Sequence, residues 1–260
     1  MLIVGNTLAA SCFEGKVIDP VNTEPYPLKR ITFSGKDLPL VPILLERCPA
    51  GWECEKVERV KVLKEGSHEK ACKGCQDPWP KRWASMEDRY FVKRAKLPSN
   101  EVMPLKIKRL ERGKIVLSNW KVLEFDELVW TAPYDYLAEL LGLRKPKRFE
   151  ATLVIMEGEA EWDLAYHLGS ANPFYALVRV GEIIWAIGPG SFDPLSAIRH
   201  LVRKGYLNKV SKYLSFTITY YAMDTSEPSA PEWVKLAGRT AEWKEMGLLE
   251  ELECPWTSKR

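Results

Sequence analysis

The sequence predicts an α/β protein in which a parallel strand–turn–helix opening is joined to a second, mainly antiparallel β-sheet domain. Three observations predict it. "MLIVG" at 1–5 runs consecutive apolar residues into a glycine, the pattern of a buried parallel strand before a tight turn. The runs at 149–156 (FEATLVIM), 163–168 (DLAYHL), 174–180 (FYALVRV) and 182–187 (EIIWAI) succeed one another as strands of an antiparallel sheet. Helical spacing marks "YDYLAELLGL" at 134–143 and "DPLSAIRHLVRKGYL" at 193–207, the latter with Asp193 as its N-cap. A chain of 260 residues buries enough core for one large domain or two modest ones.

In chain order, "LIV" at 2–4 is the first strand, "NTLAASCF" a short helix and "KVID" at 16–19 a second strand. Residues 20–49 are rich in proline and turn formers, which predicts an irregular or short-stranded excursion. "KVERVKVLKEG" at 56–66 alternates apolar and charged residues as a half-buried strand does. Residues 67–100, with Trp79, Trp83, Pro78 and Pro80, read as an inserted loop or cap. Strand, turn, strand, turn, strand follow over "VMPLKIKRLERGKIVLSNWKVLEFDELVWTAP" from 102. "YLSFTITYYAM" at 213–223 is a late strand, and "WVKLAGRTAEWKEMGLLEELE" gives a buried strand, a glycine turn and a helix.

Composition narrows the partners. The net charge of +3 comes from 38 basic and 35 acidic residues, with no concentrated basic face, so nucleic acid and anionic membranes are not expected partners. "LRKPKRF" at 143–149 is short and reads as a solvated linker. No apolar run reaches the roughly 20 residues that cross a bilayer, and "MLIV" lacks the basic region of a signal peptide. The expectation is a cytoplasmic protein. Abundant Lys, Arg and Glu beside a single Gln fit a thermophile.

Cys48, Cys54, Cys72 and Cys75 form a C-x5-C…C-x2-C arrangement. Four thiolates there build a tetrahedral zinc site or hold an iron–sulfur cluster. Two alternatives stand beside it: disulfides, which survive in the cytosol of hyperthermophiles, and free thiols. Single residues have plain readings: His200 on the surface, His167 in the sheet, and Glu159, Glu161 and Asp163 on a solvated hairpin.

The opening carries a degenerate dinucleotide fingerprint. Gly5 fills the first glycine place, Thr7 the second and Ala10 the third. The first glycine permits the tight turn and the second lets backbone approach a pyrophosphate, where the threonine hydroxyl would have to make the contact instead. Asp19 closes the second strand, where a carboxylate accepts from a ribose hydroxyl, and it arrives sooner than the usual spacing of about 20 residues.

Farther along, "SNWKVLEFDELVWTAP" resembles the return segment of the flavin amine oxidase and protoporphyrinogen oxidase superfamily. "WVKLAGRTAEWKEMGLLEELE", with "YYAMDTSEP" and "NPFYALVRV" before it, resembles the UDP-galactopyranose mutase-like branch, in a shortened and degenerate form. The resemblance covers about residues 1–20, 101–143 and 170–250. It implies a discontinuous Rossmann-like FAD/NAD(P)-binding domain (1–66, 101–143 and 224–260), the 67–100 insertion, and an antiparallel substrate-side domain at 144–223. By position, it implies Gly5, Asn6, Thr7 and Leu8 at an FAD pyrophosphate, Asp19 at the ribose and Val102 at the adenine edge. Thr131, Ala132 and Pro133 would pass the pyrophosphate and ribityl chain, Gly238 and Arg239 would flank them, and Met246 and Gly247 would open a helix beside the flavin. The implied activity is an oxidoreductase or flavin-dependent mutase acting on a small molecule. The second glycine pair of that family is missing, so two alternatives stay open: a subunit that completes its site with a partner, and a cofactor-less binding or assembly member. A homo-oligomer or a partner subunit is left open as well.

Overall fold

The computed structural model describes residues 1–21, 28–71, 79–96, 101–145, 148–221, 228–242 and 246–257. The chain alternates between two compact units: Met1–Lys29, Lys96–Lys147 and Met223–Arg260 make the first, and Arg30–Ala95 with Arg148–Ala222 make the second. The first unit opens with β1 (Leu2–Val4), a 3-10 turn at Ala9–Cys12 and β2 (Lys16–Ile18). The second then receives β3 (Arg30–Phe33), β4 (Lys36–Pro39), β5 (Leu44–Leu45), β6 (Glu53–Lys56), β7 (Val60–Lys64), a 3-10 turn at His68–Ala71, α1 (Trp79–Ser85) and β8 (Tyr90–Arg94). The chain returns for β9 (Val102–Met103), β10 (Ile107–Glu111), β11 (Lys114–Leu117), β12 (Val122–Glu124), β13 (Leu128–Trp130) and α2 (Tyr134–Leu141). It crosses again for β14 (Arg148–Glu159), β15 (Leu164–His167), β16 (Ala176–Val180), β17 (Ile183–Pro189), α3 (Pro194–Arg203) and β18 (Lys209–Tyr221). It ends in the first unit with β19 (Val234–Leu236), α4 (Arg239–Glu242) and α5 (Leu248–Leu252).

The first unit is a parallel five-stranded sheet in the order β19-β13-β1-β2-β9. Side chains alternate across it, as the strand period of two requires. Ile3, Val17 and Val129 point to one face with Ala9, Ala10 and Phe13 of the first 3-10 turn. Leu2, Val4, Ile18, Leu128 and Trp130 point to the other, where Leu137 and Ala138 of α2 and Ile115 and Leu117 of β11 cover them. The expected helix over "NTLAASCF" is a single short 3-10 turn. Phe13 is already extended, and Gly15 lies so close to β1 that a Cβ there would stand 2.9 Å from the Met1 carbonyl oxygen.

The second unit is built on a six-stranded sheet in the order β18-β14-β17-β16-β15-β7. Leu153, Ile155, Tyr166 and Trp185 fill the core on one face. Val154, Met156, Ala165 and Ile184 meet Ala197, Ile198 and Leu201 of α3 on the other. Asp193 caps α3 as expected, accepting from the Leu195 and Ser196 N–H groups, with Pro194 at the first helical position.

Two domain assignments are corrected. Residues 30–66 were expected beside the nucleotide-type sheet, yet they belong to the second unit, where β7 pairs in parallel with β15. The 67–100 stretch was expected as a separate cap, but β8 is the middle strand of a β5-β8-β6 sheet in that same unit. Asp163, expected on a solvated hairpin, is bonded to Arg59 and Arg179 with its side chain only 17% exposed.

Candidate dinucleotide-type site

The ends of β1, β2, β13 and β19 converge at the carboxyl edge of the parallel sheet, the edge at which open α/β sheets take ligands. Gly5 follows β1 with φ +103°, and its N–H donates to the Ile18 carbonyl at 2.7 Å. A Cβ on Gly5 would lie 2.3 Å from the Ala132 nitrogen, so glycine is required for Ala132 to cross there. Thr131 closes the crossing: its buried hydroxyl donates to the Gly5 carbonyl at 2.8 Å and to that of Val4 at 3.1 Å. The Thr131 and Ala132 N–H groups both donate to the Val4 carbonyl. The glycine turn and the "TAP" segment, far apart in sequence, are therefore one structure.

Asp19 sits at the end of β2, buried, with its N–H bonded to the Met103 carbonyl. Leu8 is buried under the turn and Asn6 is half-buried beside it. Thr7 occupies the second fingerprint place, and its hydroxyl is buried with no hydrogen-bond partner among the described residues. Such an orphaned donor costs about 1–3 kcal/mol unless something accepts from it. Gly238, with φ +99°, reaches the same spot: a Cβ there would be 2.9 Å from the Ala9 Cβ and 4.0 Å from the Thr7 hydroxyl oxygen.

Val102 lies on the edge strand β9, paired with Val17 and packed on the Ile3–Val129 cluster. Pro133 precedes α2 as its N-cap. Gly247 caps α5, but its N–H is directed at the Glu250 carboxylate at 3.4 Å. Met246 is buried. The helix expected to open toward a ring is five residues long, and its first donor is satisfied by its own side chain.

Glu251 is the residue that sequence reasoning missed. Its carboxylate accepts from the Arg239 N–H at 2.7 Å, and burial pushes its pKa up against the lowering effect of that hydrogen bond and of the Arg239 charge. A disulfide joins Cys12, at the end of the first 3-10 turn, to Cys254, just past α5. The cysteine count held the signal, since Cys12 and Cys254 remain after the four clustered ones.

The four-cysteine metal site is not assembled. Cys48 is disulfide-bonded to Cys54, while Cys72 and Cys75 lie outside the described residues. No group of metal-ligating side chains occurs among the described residues. The disulfide alternative is the one realised at Cys48 and Cys54.

The sequence matches no protein-family model and none of the curated proteins. Solved structures share its fold. The PF1083 protein from Pyrococcus furiosus superposes with a TM-score of 0.57 at 12% identity, over 97% of this chain and 97% of that one. MibH, a lathipeptide tryptophan 5-halogenase, gives 0.53 at 9% identity over 97% and 64%. A geranylgeranyl bacteriochlorophyll reductase-like protein from Thermoplasma acidophilum gives 0.51 at 12% identity over 92% and 70%. The chain also spans about half of a reduced UDP-galactopyranose mutase (48% of that chain, TM-score 0.41), a likeness too weak to single out that branch. At these identities the likeness is one of fold: a Rossmann-type α/β architecture with an added antiparallel sheet.

Proposed function

We propose that this chain binds FAD at the carboxyl edge of the five-stranded sheet and serves as a flavin-dependent oxidoreductase, or a mutase-like enzyme, for a small molecule. The observation that carries the reading is the orphaned Thr7 hydroxyl at the second fingerprint place, flanked by the Gly5 turn and by Asp19 at the end of β2. A buried donor with no acceptor suits an anionic oxygen of a dinucleotide. The tryptophan halogenase and the reductase-like protein of similar fold support the class at a coarse level. FAD, when bound, supplies the electron or hydride chemistry.

The chain's own residues would bind and orient. The Gly5–Leu8 backbone would approach the pyrophosphate, with the Thr7 hydroxyl donating to it. Asp19 would accept from a ribose hydroxyl. Thr131 holds Gly5 and Ala132 in register, which fixes the turn before any ligand arrives. Glu251 bears on the same edge, where its carboxylate holds the Arg239 N–H.

A second reading rests on a separate observation. Glu251 already takes the Arg239 N–H, and the Cys12–Cys254 bond ties α5 to the turn after Gly5, as suits a binding or assembly subunit without cofactor. One experiment separates the two. The purified chain should show the yellow absorption of oxidised flavin, or acquire it with added FAD, and Thr7→Val should weaken FAD binding about tenfold, the loss of one hydrogen bond to a charged group. A colourless preparation that takes up no FAD, before or after reduction of its disulfides, establishes the second reading instead.

A further inference from the structure

The two edges of the six-stranded sheet are built differently. At one edge, β7 is five residues long and carries Lys61 and Lys64, and the Arg59–Asp163 ion pair stands beside its start. Short length and lysines are how natural sheets prevent further pairing. At the other edge, β18 runs for 13 residues and pairs with β14 from Lys209 to Tyr221, interrupted by one bulge at Ser211. Its only charges are Lys209 and Lys212, and "YLSFTITYY" over 213–221 has none.

Among the described residues, no hydrogen bond reaches the outer side of β18. Tyr213 and Leu214 are 38% and 39% exposed, and Ser215 and Thr217 are exposed as well. Beyond the bulge at Ser211, this edge is uncovered among the described residues, and a long apolar edge is a template for another strand.

We propose that the occupant is a second copy of this chain. β18 pairs antiparallel with its counterpart about a two-fold axis at Ser215, fusing two six-stranded sheets into one. The charge pattern selects that register. Centred on Ser215, the regular stretch from Lys212 to Ile218 pairs with itself, clear of the bulge at Ser211, and Lys212 falls opposite the uncharged Ile218. Leu214 then faces Phe216, and Tyr213 faces Thr217. Sliding the axis to residue 212 would set the two Lys212 side chains against each other and leave the apolar half of the strand unpaired. The strand is complementary to itself in only the first arrangement of the two. Such a two-fold, self-paired contact closes at a dimer.

The test uses the full chain. Sedimentation and light scattering at micromolar concentration should give twice the 29.8 kDa chain mass. Ser215→Lys sets two lysines opposite each other at an exposed position, and it should raise the dimer dissociation constant about tenfold while leaving the circular dichroism spectrum unchanged. Ser215→Cys should cross-link to a covalent dimer under mild oxidation, whereas the unaltered chain should not. A monomer throughout, or a dimer that ignores Ser215→Lys and yields no Ser215→Cys cross-link, overturns the proposal. Neither result depends on whether FAD binds.

Discussion

At the residue scale, Asp163 shows how a polar side chain near a turn becomes part of the structure. Burial works against its ionisation. Hydrogen bonds from the Arg59 side chain and N–H and from Arg179 outweigh that and hold its pKa down to about 2. A carboxyl depressed on folding stabilises the protein above its unfolded pKa and loses that contribution as pH falls through the folded value. Its share, about 2 kcal/mol at neutral pH, should disappear between about pH 4 and pH 2. Asp163→Asn should lower stability at pH 7 by that amount and flatten the acid limb of the denaturation curve. Equal acid limbs in the two proteins would show that the pair contributes nothing. No local pattern pointed to this role, because Arg59 sits more than a hundred positions away. Gly5 is the opposite case: its place after an apolar strand made the turn legible, though not that Ala132 would pass within a Cβ radius of it.

Elements were legible where their periodicity is strong and local. The α3 helix, its Asp193 cap, and the strands β14 to β17 follow from spacing alone. The 3-10 turn at His68–Ala71 was not legible, since what fixes it is one side chain reaching distant backbone. Lys70 Nζ, with three N–H groups, lies within hydrogen-bond reach of the carbonyls of His167, Gly169, Asn172 and Phe174, and 3.2 Å from His167 Nδ1. Burial pulls the Lys70 pKa down to about 8, which leaves it protonated at neutral pH. Burial and the Lys70 charge in turn hold the His167 pKa below its ordinary value. His167 is thus a satisfied core histidine. Lys70→Met should strand four carbonyls and cost about 3 kcal/mol or more in urea denaturation. A loss within the range of an ordinary surface substitution would mean that the carbonyls are hydrated instead.

At the scale of the whole molecule, neither unit is a continuous piece of sequence. Local patterns identified a parallel and an antiparallel sheet, but not which sheet residues 30–95 would join. That depended on β7 finding β15 across about a hundred intervening residues, a choice made by packing rather than propensity. Of the residues expected from the two ends of the chain, Gly5, Asp19, Thr131 and Gly238 lie at one sheet edge. Glu251 and the Cys12–Cys254 bond, which complete that edge, follow from no short-range signal.

The Cys12–Cys254 bond spans 242 positions of a 260-residue chain, which makes the polypeptide very nearly a covalent circle. A circle cut once remains one piece. A protease that nicks the chain anywhere between the two sulfurs should therefore leave a species that migrates intact on a denaturing gel and falls into two fragments only when reductant is added. Fragments that separate without reductant would show the circle to be open. For a protein whose units are stitched from five alternating segments, such closure means that a damaged backbone keeps every segment at hand for refolding.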